Sequence, residues 1–238
     1  LVRGFHPSKL QPGELWSCLT RRYYDSSLNW YTSMVIIWSS FVKAAATLSE
    51  LIMLILLVAN PALVRLEAPP PLNTPVFSLA TLDSAGRTNM NMLTYASPVG
   101  ISPRRWVISL FRKTETHTNF VERRTGVLQL LRPCHAPLTH TLGGCSSRDV
   151  DKAERCDALG FRWHKLDGHD ELLLPQCAAY YRVTLDAELM NCGEHDAALC
   201  VLEGVYVEEE GAALDALCSS QLRALGLISD AGRAIPPE

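Results

Sequence analysis

Residues 75–97 read PVFSLATLDSAGRTNMNMLTYAS, and this stretch decides the fold class. Pro75 to Leu82 is a short run rich in β-formers, and Asp83-Ser84-Ala85-Gly86-Arg87 stops it as a turn. From Asn89 to Ser97 bulky and small polar residues alternate, so the two segments form the arms of a hairpin. Working outward, Trp106 to Phe111 reads as a third strand after the punctuation at Pro103. Val127 to Leu131 is a fourth, apolar enough to be buried, and Ala179 to Leu189 a fifth. Ala197 to Val207 is a sixth, with Leu199, Val201, Val205 and Val207 on one face. Between them, helices are expected over 116–124 (capped by Thr116), 136–142 and 150–159. A final helical stripe carries Leu214, Leu217, Cys218, Leu222 and Leu225. This pattern predicts a mainly β protein with inserted helices, a barrel or sandwich and not a βαβ fold.

The remaining composition narrows the function. The chain has 238 residues, is 47% hydrophobic and carries a formal net charge of −3, which excludes wholesale disorder and the basic field of a dedicated nucleic-acid binder. Residues 75–238 hold 16 Lys and Arg against 21 Asp and Glu, so an anionic ligand must be held by local groups, not by a global field. The eight cysteines are scattered without a C-x-x-C pair, the pattern of free thiols in a reducing compartment, cytoplasmic or organellar (plastid or mitochondrion). Cys134, His135, His140 and Cys145 fit no zinc spacing, and no metal is expected. The G-x-G-x-x-G, Walker A and G-x-S-x-G fingerprints are missing.

Residues 1–74 differ in character from 75–238, the second and chemically interesting domain. An apolar tract from Met34 to Leu66 is interrupted by Lys43 and Glu50 and followed by Pro61 and Ala68-Pro69-Pro70-Pro71. Membrane anchor, transit peptide and misjoined leader all stay open, although the two charges tell against a span. The chain opens on Leu1, as expected of a fragment, a processed product or a translated reading frame.

Two segments could carry chemistry. Thr88 to Gly100 presents amides and hydroxyls in alternation, a surface suited to the edge of a flat heteroaromatic ring; an exposed hairpin face accounts for it more simply. Arg112-Lys113-Thr114-Glu115-Thr116-His117-Thr118-Asn119 joins a strand to a helix, so free backbone N–H groups coincide with two cations and several hydroxyls. That is how a phosphate is held; a solvated turn with a Thr cap is the competing reading.

Taken in order, these segments resemble the flavin reductase-like, FMN-binding split-barrel family from Pro75 to about Pro236. The likeness runs through D-x-x-G-R, N-x-x-x-x-T-Y-A-S-P-V, I-S-L-F-R-K-T-x-T-H-T-N and G-V-L-Q-L-L. It continues through the loop Gly143 to Lys152, Gly193-Glu194-His195-Asp196, and Leu222-Arg223-x-Leu225-Gly226-Leu227. The resemblance implies a six-stranded Greek-key split β-barrel that forms a homodimer, with FMN or FAD at the subunit interface and NAD(P)H as electron donor. By position, Asn89, Asn91, Thr94, Tyr95, Ala96 and Ser97 would face the isoalloxazine ring. Arg112, Lys113, Thr114, His117, Thr118 and Asn119 would surround the phosphate, and Ser147, Arg148 and Asp149 would close a loop over the site. His195 would stand near the flavin or the nicotinamide, or else be structural. One departure is Ser146-Ser147 where the family often has Ser-Gly, which puts that loop's conformation in question. The function implied is an NAD(P)H-dependent flavin oxidoreductase; a non-catalytic FMN carrier or sensor, or an interaction protein that has lost flavin, are the alternatives. Neither nucleic acid nor membrane is expected as a partner.

Overall fold

The computed structural model describes residues 38–43, 48, 50, 63–209 and 215–237. The chain divides into two units, Leu1–Glu67 and Ala68–Glu238. In the first, most of the apolar tract from Met34 to Leu66 lies outside the described residues, and no described helix is long and apolar enough to cross a membrane.

In the second unit, β1 (Phe77–Leu82) and β2 (Thr88–Leu93) form the expected hairpin, in register from Phe77 opposite Leu93 to Leu82 opposite Thr88. Its turn is built by Asp83, whose Oδ1 accepts from the backbone N–H of Ala85 (2.9 Å) and Arg87 (2.8 Å), while Gly86 sits at φ 78°, where a side chain is disfavoured. The other strands are β3 (Ala96–Ile101), β4 (Arg104–Phe111), β5 (Thr125–Leu130), the short pair β6 (His164–Lys165) and β7 (Leu172–Leu173), β8 (Ala179–Leu185), β9 (Met190–Cys192) and β10 (His195–Tyr206). One antiparallel sheet runs β2-β1-β5-β8-β10-β4-β3, with β9 added beside β10.

That order dictates the shape. β2 and β3 stand at opposite ends of the sheet, yet only Thr94 and Tyr95 separate them in sequence. Three residue steps span at most about 11 Å, so the sheet must curl until its two ends approach. No ladder joins β2 to β3 among the described residues, so the curled sheet stays open along that seam. The result is a mainly β split barrel with inserted helices. Eight strands replace the six expected, because the run Asn89–Ser97 breaks at Thr94–Tyr95 into strands at the two ends of the sheet, and β9 is extra.

Phe77, Leu79, Ile108, Leu110, Leu128, Val183 and Ala198 alternate onto one face and fill the barrel with Phe120. Val76, Ala80, Met90, Val127 and Tyr180 turn the other way and are covered by Leu138, Leu142, Cys156, Leu217 and Leu222. β1 and β5 are therefore buried on both faces, which is why they read as nearly continuous apolar runs. Each fully buried Leu or Phe contributes about 1.5–3 kcal/mol. The covering layer is a 3₁₀ turn (Pro133–Leu138), a π turn (His140–Gly144), α2 (Lys152–Ala158) and α3 (Ser219–Ala224).

Several expectations are corrected. Helix α1 spans Glu115–Arg123 and is capped by Thr114, whose Oγ1 accepts from the His117 N–H at 3.2 Å; Thr116 is buried inside the first turn. The sixth strand begins at His195, and its buried side chains are Asp196, Ala198 and Cys200. A bulge between Leu202 and Gly204 breaks the alternation, so Leu199 and Val201 do not share a face with Val205 and Val207. Of the C-terminal stripe, Leu217 and Leu222 are buried, Leu225 is exposed beyond α3, and Leu214 lies outside the described residues.

Candidate functional site

The curl of the sheet leaves a cleft of about 500 Å³ beside the β2–β3 link. One wall is the polar face of β2, Asn89 and Asn91, continued by Thr94 and Tyr95. A second is the β4–α1 corner, Phe111 and Lys113 to Thr116. The third is the segment Leu142 to Ser147, with Lys152 behind it. His195 opens β10 at the rim, its ring 6.1 Å from that of Tyr95 and 5.2 Å from that of Phe111, so three rings of different chain origin meet there.

At the β4–α1 corner the first-turn N–H groups of Glu115 and Thr116 have no intrahelical partner, as at any helix start. Lys113 is exposed next to them and makes no ion pair among the described residues. A cation, free N–H groups and a helix N-terminus therefore converge on one corner of the cleft.

The other expected phosphate ligands are used differently. Arg112 gives Nε (2.8 Å) and Nη2 (2.5 Å) to Asp196 Oδ1, and His117 Nε2 lies 2.8 Å from Asp196 Oδ2. The Arg112 guanidinium, then His117, hold the Asp196 carboxyl below the usual carboxylate range. Both side chains are thus engaged by a residue to which the sequence assigned no role, and the group locks α1 to β10. Asn119 is buried with its Nδ2 3.4 Å from Thr81 Oγ1, and Thr118 is exposed on the helix surface; neither lines the cleft.

On the β2 wall of the cleft, Asn89 is 7% exposed; its Nδ2 donates to Thr116 Oγ1 at 2.8 Å, while its Oδ1 is buried with no partner among the described residues. An orphaned acceptor in a cleft wall costs about 1–3 kcal/mol unless a ligand or water supplies a donor. Ala96 and Ser97 lie on β3 beyond the cleft lining, and Ser97 is exposed. In the loop, Ser147 lines the cleft while Arg148 points to Glu115, Nε to Oε2 2.8 Å, and Asp149 is exposed. Ser147 needs no positive φ; the turn closes by the Asp149 N–H to the Ser146 carbonyl (3.1 Å), so the missing glycine is tolerated.

Besides Asp196, three features of the cleft were given no role from the sequence, although Gly143 to Lys152 carried part of the resemblance. Lys152 is buried in the third wall, and its spacing of four from Cys156 on α2 was the available signal. Gly143 and Gly144 pack against Ala234: a Cβ on Gly144 would come within 2.7 Å of His140 Nδ1 and 3.4 Å of Ala234 Cβ. Ile228, Gly232, Arg233 and Ala234 line the cleft from a C-terminal turn closed by the Ile228–Ala234 bridge, for which the sequence offered no signal. Among the described residues no group of three His, Cys, Asp or Glu is placed to hold a metal.

Fold and cleft together define an open, split β-barrel with a crevice of mixed polar and apolar lining at its seam. Residues 71–225 match the flavin reductase like domain, and the chain belongs to that family. Among solved structures it is similar to a flavoredoxin from Methanosarcina acetivorans (15% identity, 67% of this chain and 86% of that one, TM-score 0.56). It is also similar to an FMN-binding protein from Thermus thermophilus with bound p-hydroxybenzaldehyde (21%, 63% and 81%, 0.51). A third is a putative flavin reductase with a split barrel domain from Shewanella frigidimarina (14%, 61% and 77%, 0.53). These likenesses speak for the fold. No curated protein matches the chain.

Proposed function

We propose that the cleft binds FMN and that the protein is an NAD(P)H-dependent flavin oxidoreductase acting as a homodimer. The observation that carries this reading is the pairing of two complementary ends in one crevice: Lys113, without an ion pair among the described residues, with open helix N–H groups at one, and at the other, on an amide-rich strand, the buried acceptor Asn89 Oδ1, which has no partner among them. The volume of about 500 Å³ lies within the range of cofactor pockets, about 300–1,000 Å³.

In this reading Lys113, Thr114 and the first-turn N–H groups hold the phosphate, and Asn89, Asn91, Thr94 and Tyr95 face the ring. FMN, once bound, supplies the two-electron chemistry. The protein supplies alignment and exclusion of water: His195, braced between Tyr95 and Phe111, offers a wall against which a nicotinamide ring can lie. Val99 and Ile101 on the edge strand β3, 56% and 92% exposed, are the apolar surface a second subunit would cover.

Anaerobic addition of NADH or NADPH to the FMN-loaded protein tests the electron donor. Bleaching of the flavin absorbance within the mixing experiment is expected. A loaded protein that keeps its colour with both nucleotides, yet bleaches with dithionite, would make it a carrier or sensor.

A further inference from the structure

Lys152 is the feature of the second unit that this function leaves unused. Its side chain is buried, with the residue 6% exposed, in the wall of the cleft. Nζ donates to the carbonyl oxygens of Met90 (2.9 Å) and Leu142 (3.3 Å), tying β2 to the π turn. An ammonium has three N–H donors and these contacts use two. No carboxylate pairs with it among the described residues, and the other ionisable groups interacting with it are the thiols of Cys145 and Cys156. A buried, unpaired ammonium is costly, and burial pulls its pKa down from 10.5 to about 8. Near pH 7 it still carries its charge.

A purely structural tie between two carbonyls does not need a charge, since a neutral amide donor serves as well. The position of this charge matters instead. Met90 lies between Asn89 and Asn91 in sequence, so the ammonium is bound to the backbone of the strand that lines the cleft, at the residue next to Asn89 with its orphaned Oδ1, and Lys152 itself borders the cleft. A ligand pressed against this strand meets an unsatisfied acceptor and a fixed positive charge together. A ring that bears an N–H and gains negative charge in one of its states fits both.

We infer that Lys152 is an electrostatic tuning group: its buried charge favours the two-electron-reduced flavin over the oxidised one in the cleft. This rests on the reading of the cleft as a flavin site. The oxidised ring is neutral, whereas uptake of two electrons and one proton leaves a monoanion at neutral pH. A cation in the wall therefore stabilises the second state more than the first and raises the potential of the bound couple. Lys113 acts differently, because the phosphate it faces carries the same charge in both states.

The test is the midpoint potential of FMN bound to the full chain, measured by equilibration with a reference dye under slow enzymatic reduction by xanthine and xanthine oxidase. The proteins compared are wild type, Lys152→Gln, Lys152→Arg and Lys113→Ala. Lys152→Gln keeps a donor for the Met90 carbonyl and removes the charge. Its preference for reduced over oxidised flavin is expected to fall about tenfold, the lower end for a hydrogen bond to a charged group. For a two-electron couple that is a drop of about 30 mV. Lys152→Arg is expected to stay near wild type, and Lys113→Ala to bind both states more weakly with its potential unmoved. Should Lys152→Gln fail to fold by circular dichroism, Lys152→Met is measured in its place with the same expectation. Wild type that takes up flavin but shares its potential with the neutral variant would overturn this inference alone. Wild type that takes up no flavin would overturn the flavin reading as well.

Discussion

Replacing Lys113 by Ala tests whether the β4–α1 corner is the phosphate end of the cleft and the β2 wall its ring end, as proposed. Lys113 is the cation of the β4–α1 corner with no ion pair among the described residues, whereas its neighbour Arg112 is already committed to Asp196 through two N–H groups. The loss is therefore that of one charge-assisted contact to a phosphate. Such a contact is worth about 1.5–3 kcal/mol, and two unit charges 4 Å apart interact by about 1 kcal/mol in water and about 4 kcal/mol near a protein surface. Because Lys113 is exposed, the lower end applies, and FMN affinity should fall about tenfold. Riboflavin, which lacks the phosphate, should bind the variant as it binds wild type. The difference should shrink on going from about 0.01 M to 1 M salt as the screening length falls from about 30 Å to 3 Å. Flavin fluorescence titrations of both proteins with both ligands decide the matter. Equal losses for FMN and riboflavin would refute the placement of the phosphate at this corner.

Further outcomes follow from the packing and the buried charge. Lys152 keeps its ordinary pKa of 10.5 when unfolded and about 8 when folded, so between these values the unfolded chain binds more protons and stability rises with pH. Relative to Lys152→Met, wild type should gain up to about 3 kcal/mol in urea unfolding between pH 7.5 and pH 10.5, and a flat or falling difference would contradict the burial of this charge. Gly126→Ala should cost about 1–3 kcal/mol in the same assay, because the added Cβ would stand 2.8 Å from the Ala80 carbonyl oxygen across the β1–β5 ladder; an unchanged unfolding midpoint would place that strand wrongly. Light scattering of the purified chain should give a dimer, and Ile101→Lys, on the exposed edge strand, should shift it towards monomer with weaker FMN binding; a monomer that binds FMN tightly would refute the shared site.

What the sequence revealed and what it hid divide along physical lines. Strands and the first hairpin were legible because β1, β4, β5 and β8 bury side chains at period two, or on both faces, between clear turn residues such as Asp83 and Gly86. The split of one expected strand into β2 and β3 was not, since Thr94 and Tyr95 are unremarkable residues and only the closing of the sheet makes them a corner. At the site, residues on the β2 face and at the helix start could be placed because their backbone context is local. Arg112 and His117 could not, because the carboxylate that claims them comes from Asp196, more than 75 residues away in sequence. The C-terminal turn that borders the cleft is likewise a matter of long-range packing, with the small Ala234 fitting against Gly143 and Gly144.

Titration of FMN fluorescence with the whole chain, freed of flavin, tests the flavin site most directly. Quenching that saturates at one FMN per chain, at roughly micromolar concentrations or below, is the predicted result. A chain that shows the circular dichroism of a folded β protein yet leaves FMN fluorescence unchanged through that range would contradict it.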